Sequence, residues 1–102
     1  MKLTFKLTHS NIKYEAKKMI RELVGKRVKE LRISKNFMNQ DEFSKKIGWN
    51  KTYLSRIESG KQNITIENLL VICNGLNVSF SEFFEPFNTI IDDFDGGFKN
   101  GK

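Results

Sequence analysis

The sequence has one cysteine, one proline and no long hydrophobic run. Because Cys73 has no partner within the chain, an internal disulfide is excluded, which favours a reduced, cytoplasmic setting. No apolar stretch approaches the roughly 20 residues that a membrane span needs, so no membrane association is expected. The first ten residues also lack the apolar stretch of a secretory signal. With Pro86 as the single proline, helix boundaries are best inferred from caps, glycines and hydrophobic periodicity.

The charge of the 102-residue chain is unevenly distributed. Residues 1–61 hold sixteen Lys or Arg and six Asp or Glu, whereas residues 62–102 hold two and six, and the whole chain has a net charge of +6. The length predicts one compact domain. A basic first part and an acidic end indicate one surface for a polyanion and another for a different contact. A solvated, lysine-rich surface would explain the same charges equally well.

The hydrophobic period changes near the start of the chain. Residues 2–8 alternate between apolar and polar side chains, which is typical of a strand, although a lone strand has no partner in a helical domain. From 12 to 34 the apolar residues recur every three or four positions, which predicts a long amphipathic helix. Ser10 or Asn11 is its candidate cap, and Gly25 is a candidate position for a bend.

Polar caps and glycines predict four shorter helices after the long one. Their predicted N-caps are Asn39, Asn50, Thr65 and Ser79, and Gly48 and Gly60 are expected to end the first two. We therefore predict an all-α fold of five helices. The expected organisation is an N-terminal extension at 1–23 with a candidate strand at 2–8, a helical domain at 24–85 and a tail at 86–102.

Two short helices joined by a tight glycine turn are typical of a helix-turn-helix. In the second of them, predicted at 51–59, Tyr53, Leu54 and Ile57 share one arc. The opposite arc carries cations and hydroxyls, which are Lys51, Thr52, Ser55, Arg56 and Ser59. Such a surface can donate hydrogen bonds to guanine edges and phosphates in a major groove. An ordinary amphipathic surface helix would show a similar pattern.

The stretch 24–84 resembles the lambda-repressor-like, Cro/cI-type helix-turn-helix family, also called the xenobiotic-response-element family. The match runs through VGKRVKELR, NQDEFSKKIGWNKTYLSRIESGKQN, TIENLLVICNGLNVS and FSEFF, about 60% of the chain. Ile64, Thr65 and Ile66 are also similar to the controller proteins of restriction-modification systems, as is the ending Phe83-Phe84-Glu85. The resemblance implies a five-helix fold whose helix at 51–59 recognises DNA.

The resemblance also implies a role for individual residues. It implies base contacts from Lys51, Thr52, Ser55 and Arg56. It implies phosphate contacts from Gln40, Asn50, Tyr53, Ser59, Lys61 and Asn63, and Gln40 would also brace the recognition helix. Arg32 and Glu58 match a partly buried ion pair that holds this helix in place.

Three positions depart from the family pattern. One residue is inserted near Met38, and Ile64 replaces a common proline. Trp49 stands where a smaller residue is usual, so it could pack in the turn or press on a sugar-phosphate strand.

Large apolar side chains crowd the acidic end of the chain, and exposed patches of this kind usually mark interfaces. We predict a dimer contact formed by Phe83, Phe84, Phe87, Ile90 and Ile91. The alternative is a tail that folds back on its own protomer.

Together these observations predict a cytoplasmic transcriptional regulator with a repressor-type helix-turn-helix, which binds double-stranded DNA at a palindromic operator as a homodimer. The sequence leaves open whether it is a repressor or an activator. The rival hypothesis is an antitoxin or adaptor that reuses the fold for protein contacts. No nucleophile-base pair, phosphate loop or metal-ligand spacing is visible, so no enzyme activity, catalytic residue, cofactor or metal is expected. The sequence does not indicate a small-molecule effector.

Overall fold

The computed structural model describes residues 9–88, with side chains from residue 15 onwards. Its helices are α1 (His9–Ser34), α2 (Gln40–Ile47), α3 (Lys51–Glu58), α4 (Ile66–Leu76) and α5 (Phe80–Phe84), followed by a 3₁₀ turn at Glu85–Phe87. Within the described residues there is no strand, and the predicted all-α fold of five helices is confirmed. The candidate strand at 2–8 lies outside the described residues, as do Ile90 and Ile91 of the predicted dimer contact.

Local hydrogen bonds explain where the four shorter helices begin. Each follows a polar residue whose side chain accepts a hydrogen bond from a backbone N–H inside the first turn, which would otherwise lack a partner. The acceptor and donor residues are Asn39 and Glu42, Asn50 and Thr52, Thr65 and Asn68, and Ser79 and Glu82. These are the caps that the sequence predicts. The helix predicted at 51–59 ends one residue earlier, with Ser59 as its C-cap.

The long helix α1 differs from its prediction at its start. Its described part begins at His9, so Ser10 and Asn11 lie inside the helix, and the prediction that one of them caps it is wrong. Serine and asparagine inside a helix each cost at most about 0.7 kcal/mol relative to alanine, which the hydrogen bonds of an earlier start can offset. Of the helices that the structure describes, none is long and apolar enough to cross a bilayer.

The core lies between the five helices, and each of them contributes buried side chains. Its centre is formed by side chains that are almost fully buried, which are Val28, Phe43, Leu54, Ile57, Ile72, Leu76 and Phe83. Cys73 lies among them, and burial raises the pKa of its thiol to about 11. The thiol therefore stays protonated at neutral pH and packs as a small apolar group.

Phe83 requires a correction to the predicted dimer contact. Its side chain is 0% exposed and belongs to the core of its own protomer. It contacts Phe84 edge to face, with the ring centroids 5.0 Å apart. Because no part of Phe83 is accessible to a partner, we remove it from the dimer contact. Phe84 and Phe87 are half-buried and remain candidates.

A side chain of α1 anchors the short helix α5. Arg27 Nε donates to the Phe83 carbonyl at 2.8 Å, and its Nη2 donates to the Glu82 carbonyl at 2.7 Å. Carbonyls in the last turn of a helix lack the regular helical donors, and the guanidinium supplies one to Phe83 and a second to Glu82, whose carbonyl also accepts from the Glu85 N–H. This contact joins residues more than fifty positions apart, and no sequence pattern predicted it.

Candidate nucleic-acid interface

The turn between α2 and α3 is fixed by its backbone. Gly48 adopts a left-handed conformation with φ 76°, and the Trp49 N–H donates to the Ser44 carbonyl at 2.8 Å. Trp49 is half-buried against the core and meets Tyr53 edge to face, with the ring centroids 4.9 Å apart. Of the two alternatives for Trp49, the structure shows packing in the turn. The indole therefore packs the first turn of α3 against the core.

Helix α3 turns its polar arc to solvent. Leu54 and Ile57 are 0% and 1% exposed and attach the helix to the core. On the opposite side, Ser55 is half-buried, and the exposed residues are Lys51, Thr52, Arg56 and Ser59. The predicted base-contacting residues therefore share one accessible surface. It offers cationic and hydroxyl donors without a large apolar side chain.

Arg56 lies folded over the loop that follows α3. Its Nη2 is 3.2 Å from the Lys61 carbonyl oxygen, and its Nε is 3.4 Å from Gln62 Oε1. Both contacts are long and exposed, so little free energy opposes their replacement by a bond to DNA. Gln62 was not singled out from the sequence, because its link to Arg56 depends on how the loop folds.

A buried ion pair connects α1 to the end of α3. Arg32 Nε lies 2.7 Å from Glu58 Oε2, and Arg32 Nη2 lies 3.1 Å from Glu58 Oε1. The two side chains are only 4% and 3% exposed. Gln40 Nε2, at the start of α2, donates to Glu58 Oε1 at 2.9 Å. Glu58 therefore joins three helices, and α3 is held in one orientation relative to the first two.

The insertion predicted near Met38 would lie in the loop between α1 and α2. Asn36 takes a left-handed conformation with φ 72°, which reverses the chain after α1. The Phe37 carbonyl then accepts a hydrogen bond from Arg32 Nη1 at 2.7 Å, while the Phe37 ring packs 5.2 Å from that of Phe43. Met38 is 67% exposed. The loop thus supplies a third acceptor to the buried guanidinium.

The predicted phosphate-contacting residues surround the polar arc, and several already have partners in the protein. Asn50 Oδ1 accepts from the Thr52 N–H at 2.7 Å, which leaves its amide NH₂ exposed. The Tyr53 hydroxyl accepts from Asn68 Nδ2 at 2.9 Å. The Gln40 amide nitrogen is directed at Glu58. Ser59 Oγ donates to the Arg56 carbonyl at 3.2 Å, and the remaining two, Lys61 and Asn63, are exposed in the loop after α3.

Asn68 is a residue of this region that the sequence analysis missed. It lies on α4, outside the two helices of the motif, so the motif offered no reason to select it. Its hydrogen bond fixes the phenol of Tyr53, whose ring is already held by Trp49. Tyr53 is therefore oriented before any ligand arrives.

Comparison with known proteins supports this geometry. Residues 28–83 match the helix-turn-helix family model. The control protein C.MunI of Mycoplasma sp is 40% identical over 60 residues, covering 59% of this chain and 81% of that protein. The control protein C.BamHI of Bacillus amyloliquefaciens is 34% identical over 71 residues, covering 70% and 86%.

A solved structure shows the same fold. It contains the restriction-modification controller protein C.Esp1396I as a tetramer with its natural 35-base-pair operator. That protein superposes on this chain with a TM-score of 0.59 and 34% identity, over 72% of this chain and 91% of its own.

Proposed function

Because this chain belongs to the Cro/cI-type helix-turn-helix family, we propose that it is a transcriptional regulator of the controller-protein type that binds a palindromic operator as a homodimer. The observation that carries the proposal is the polar arc of α3, which is accessible and held in a fixed orientation by Glu58. Non-enzymatic control proteins among its relatives agree with the expectation that it is not an enzyme. The alternative, an adaptor that contacts only protein, does not account for this cationic, hydroxyl-bearing surface, whereas DNA binding does.

In the proposed complex, α3 lies in the major groove and its polar arc contacts base edges. The residues assigned to bases are Lys51, Thr52, Ser55 and Arg56. Phosphates on either side are contacted by Gln40, Asn50, Tyr53, Ser59, Lys61 and Asn63. Phosphate contacts supply affinity that falls with salt, whereas base contacts supply the choice of sequence.

Arg56 gives the sharpest test of sequence choice. We expect Arg56→Ala to weaken binding to the operator by about 1–3 kcal/mol per protomer more than binding to a scrambled duplex, because a bidentate arginine–guanine contact is lost in each half-site. The operator is first selected from random duplexes with the full chain. Affinities for both duplexes are then measured at one salt concentration.

The matched control is Arg56→Lys, which keeps the charge but lacks the planar fork of donors. It should lose discrimination while retaining the salt dependence of the native protein. An operator-to-scrambled ratio that stays unchanged in Arg56→Ala would assign Arg56 to phosphate rather than to a base.

The proposed dimer uses apolar surface that faces away from α3. On α4, Ile66 is 66% exposed and Leu70 is 55% exposed, one turn apart on the same side. Asn68, on the same helix, donates a hydrogen bond to Tyr53 of α3 and so marks the side of α4 that faces α3. Ile66 and Leu70 are each two residues from Asn68, so they lie about 160–200° around the helix, on the opposite side. We therefore propose that Ile66 and Leu70 belong to the dimer contact together with the four residues predicted from the sequence, Phe84, Phe87, Ile90 and Ile91. A two-fold axis there would space two recognition helices about 34 Å apart.

We expect Ile66→Glu/Leu70→Glu to convert a dimer into a monomer at micromolar concentration, because burying two carboxylates without partners is strongly unfavourable. Sedimentation velocity measures the change, and operator affinity should fall with it. Lys45→Glu/Lys46→Glu adds two carboxylates at exposed positions on α2, away from this side of α4, and is the control that should remain dimeric.

Two other results would redirect the assignment. A double variant that stays dimeric would exclude Ile66 and Leu70, and truncation after Glu85 would then test the contribution of the tail. A native protein that is monomeric both alone and on the operator would contradict the dimer altogether.

A further inference from the structure

Helix α1 extends well beyond the helix-turn-helix domain. The family match begins at residue 28, whereas the described helix begins at His9. A Cβ atom placed on Gly25 would overlap the Ile57 carbonyl oxygen, so α1 is in backbone contact with the last turn of α3. A Cβ on Gly60 would lie 2.7 Å from Glu22 Cγ and 3.0 Å from Glu22 Cα. Helix α1 therefore crosses the end of α3 and continues past the loop that starts at Gly60.

Two cationic side chains lie on the side of α1 that packs on α3, N-terminal to the point of contact at Gly25. At 100° per residue, Lys18 and Arg21 lie within about 40° of the direction of Gly25. Lys18 is exposed and Arg21 is half-buried. Among the side chains that the structure describes, the ion pairs are Arg27–Glu30, Arg32–Glu58 and Lys45–Asp41, and they involve neither of these cations. Their helical positions therefore place Lys18 and Arg21 on the side of α1 that faces α3, close in sequence to Glu22, which contacts Gly60 at the start of the loop.

We propose that Lys18 and Arg21 bind DNA phosphates and so extend the DNA-binding surface of the protein beyond α3 and the loop that follows it. The inference rests on the proposed function, because these cations would contact the same DNA strand whose phosphates are assigned to Lys61 and Asn63. Long cationic side chains on a helix flank suit the sugar-phosphate backbone, whereas α3 alone is placed to read base edges. Glu22 contacts Gly60 and offsets part of the charge of Lys18 and Arg21. Together the three side chains keep a net positive charge.

The variant Lys18→Gln/Arg21→Gln tests this extension in the full chain. Each lost phosphate contact should reduce the slope of log affinity against log salt by about 0.9, and the proposed dimer would lose two contacts from each protomer, so we expect a change of about 3.6. Between about 50 and 200 mM salt, the variant should lose roughly 150-fold less affinity than the native protein. The change should be equal for operator and scrambled duplex, so that the ratio between them is preserved.

Two controls separate local contact from general charge. Lys26→Gln removes a cation about 100° around α1, beside Pro86 and Phe87, and should keep the native slope. Lys18→Arg/Arg21→Lys keeps both charges and should also keep it. A native slope in the glutamine double variant, or the same reduction per charge in Lys26→Gln, would overturn the extension. If the native protein binds neither duplex, the proposed function itself fails, which is a different result.

Discussion

Replacing Glu58 with alanine should destabilise the folded protein by about 3–5 kcal/mol, although it removes an anion from the helix proposed to bind DNA. Glu58 is the partner of a buried guanidinium, and both of its oxygens accept from Arg32. Without it, Arg32 keeps its charge at 3% residue exposure, and the Gln40 amide loses its acceptor. Thermal and urea unfolding measure the loss, and DNA affinity should fall because α3 is no longer held.

The matched control is Asp41→Ala, which breaks an exposed pair. Asp41 lies 3.4 Å from Lys45, and these side chains are 54% and 77% exposed, so the expected loss is under about 1 kcal/mol. The double change Arg32→Met/Glu58→Leu should be less destabilising than Glu58→Ala alone, because it leaves no buried charge without a partner. An unchanged melting temperature in Glu58→Ala would contradict a structural role for the pair.

Gly25→Ala should also be strongly disruptive, although alanine favours helices more than glycine does. The added Cβ would overlap the Ile57 carbonyl oxygen and lie 2.7 Å from that of Glu58, and backbone atoms cannot move aside as a flexible side chain can. Overpacking of this kind costs about 1–3 kcal/mol or more. For a domain of this size, each kcal/mol lowers the melting temperature by about 4–8 °C. Because α3 must move away from α1, operator binding should weaken even at temperatures where the variant is folded.

Gly48→Ala separates strain from displacement. Gly48 has φ 76° and nothing within 4 Å of an added Cβ, so alanine there costs about 1 kcal/mol of backbone strain without pushing α3. This variant should keep the native operator affinity at low temperature. If Gly25→Ala proves as stable as the native protein and binds equally well, the close approach of α1 and α3 does not position the recognition helix.

The contrast between Gly25 and Gly48 shows how far sequence patterns reach. Gly48 was predicted to end a helix, and it does so, because a left-handed C-cap depends on a few adjacent residues. Gly25 was a candidate bend, whereas the structure shows a site where two helices touch. Position 25 requires glycine because of backbone contacts with Ile57 and Glu58, which lie more than thirty residues away in the sequence. No local sequence pattern contains this information.

The candidate interface divides in the same way. The polar arc of α3 followed from helical periodicity, because the spacing of side chains around a helix is the same in every protein. The pairing of Arg32 with Glu58 came from family resemblance and not from spacing. The roles of Asn68 and Gln62 were missed, since each depends on a neighbour that folding brings near.

By itself, the sequence determined where the four shorter helices begin and which side of each is apolar, since caps and periodicity act over one or two turns. The tertiary structure decided what those sides meet. It placed Phe83 in the core rather than at a partner, attached α5 through Arg27, and brought the extension of α1 beside the loop at Gly60. The physical reason is range: a helix forms through hydrogen bonds four residues apart, whereas its neighbours depend on how all the apolar surfaces of the chain can be buried together.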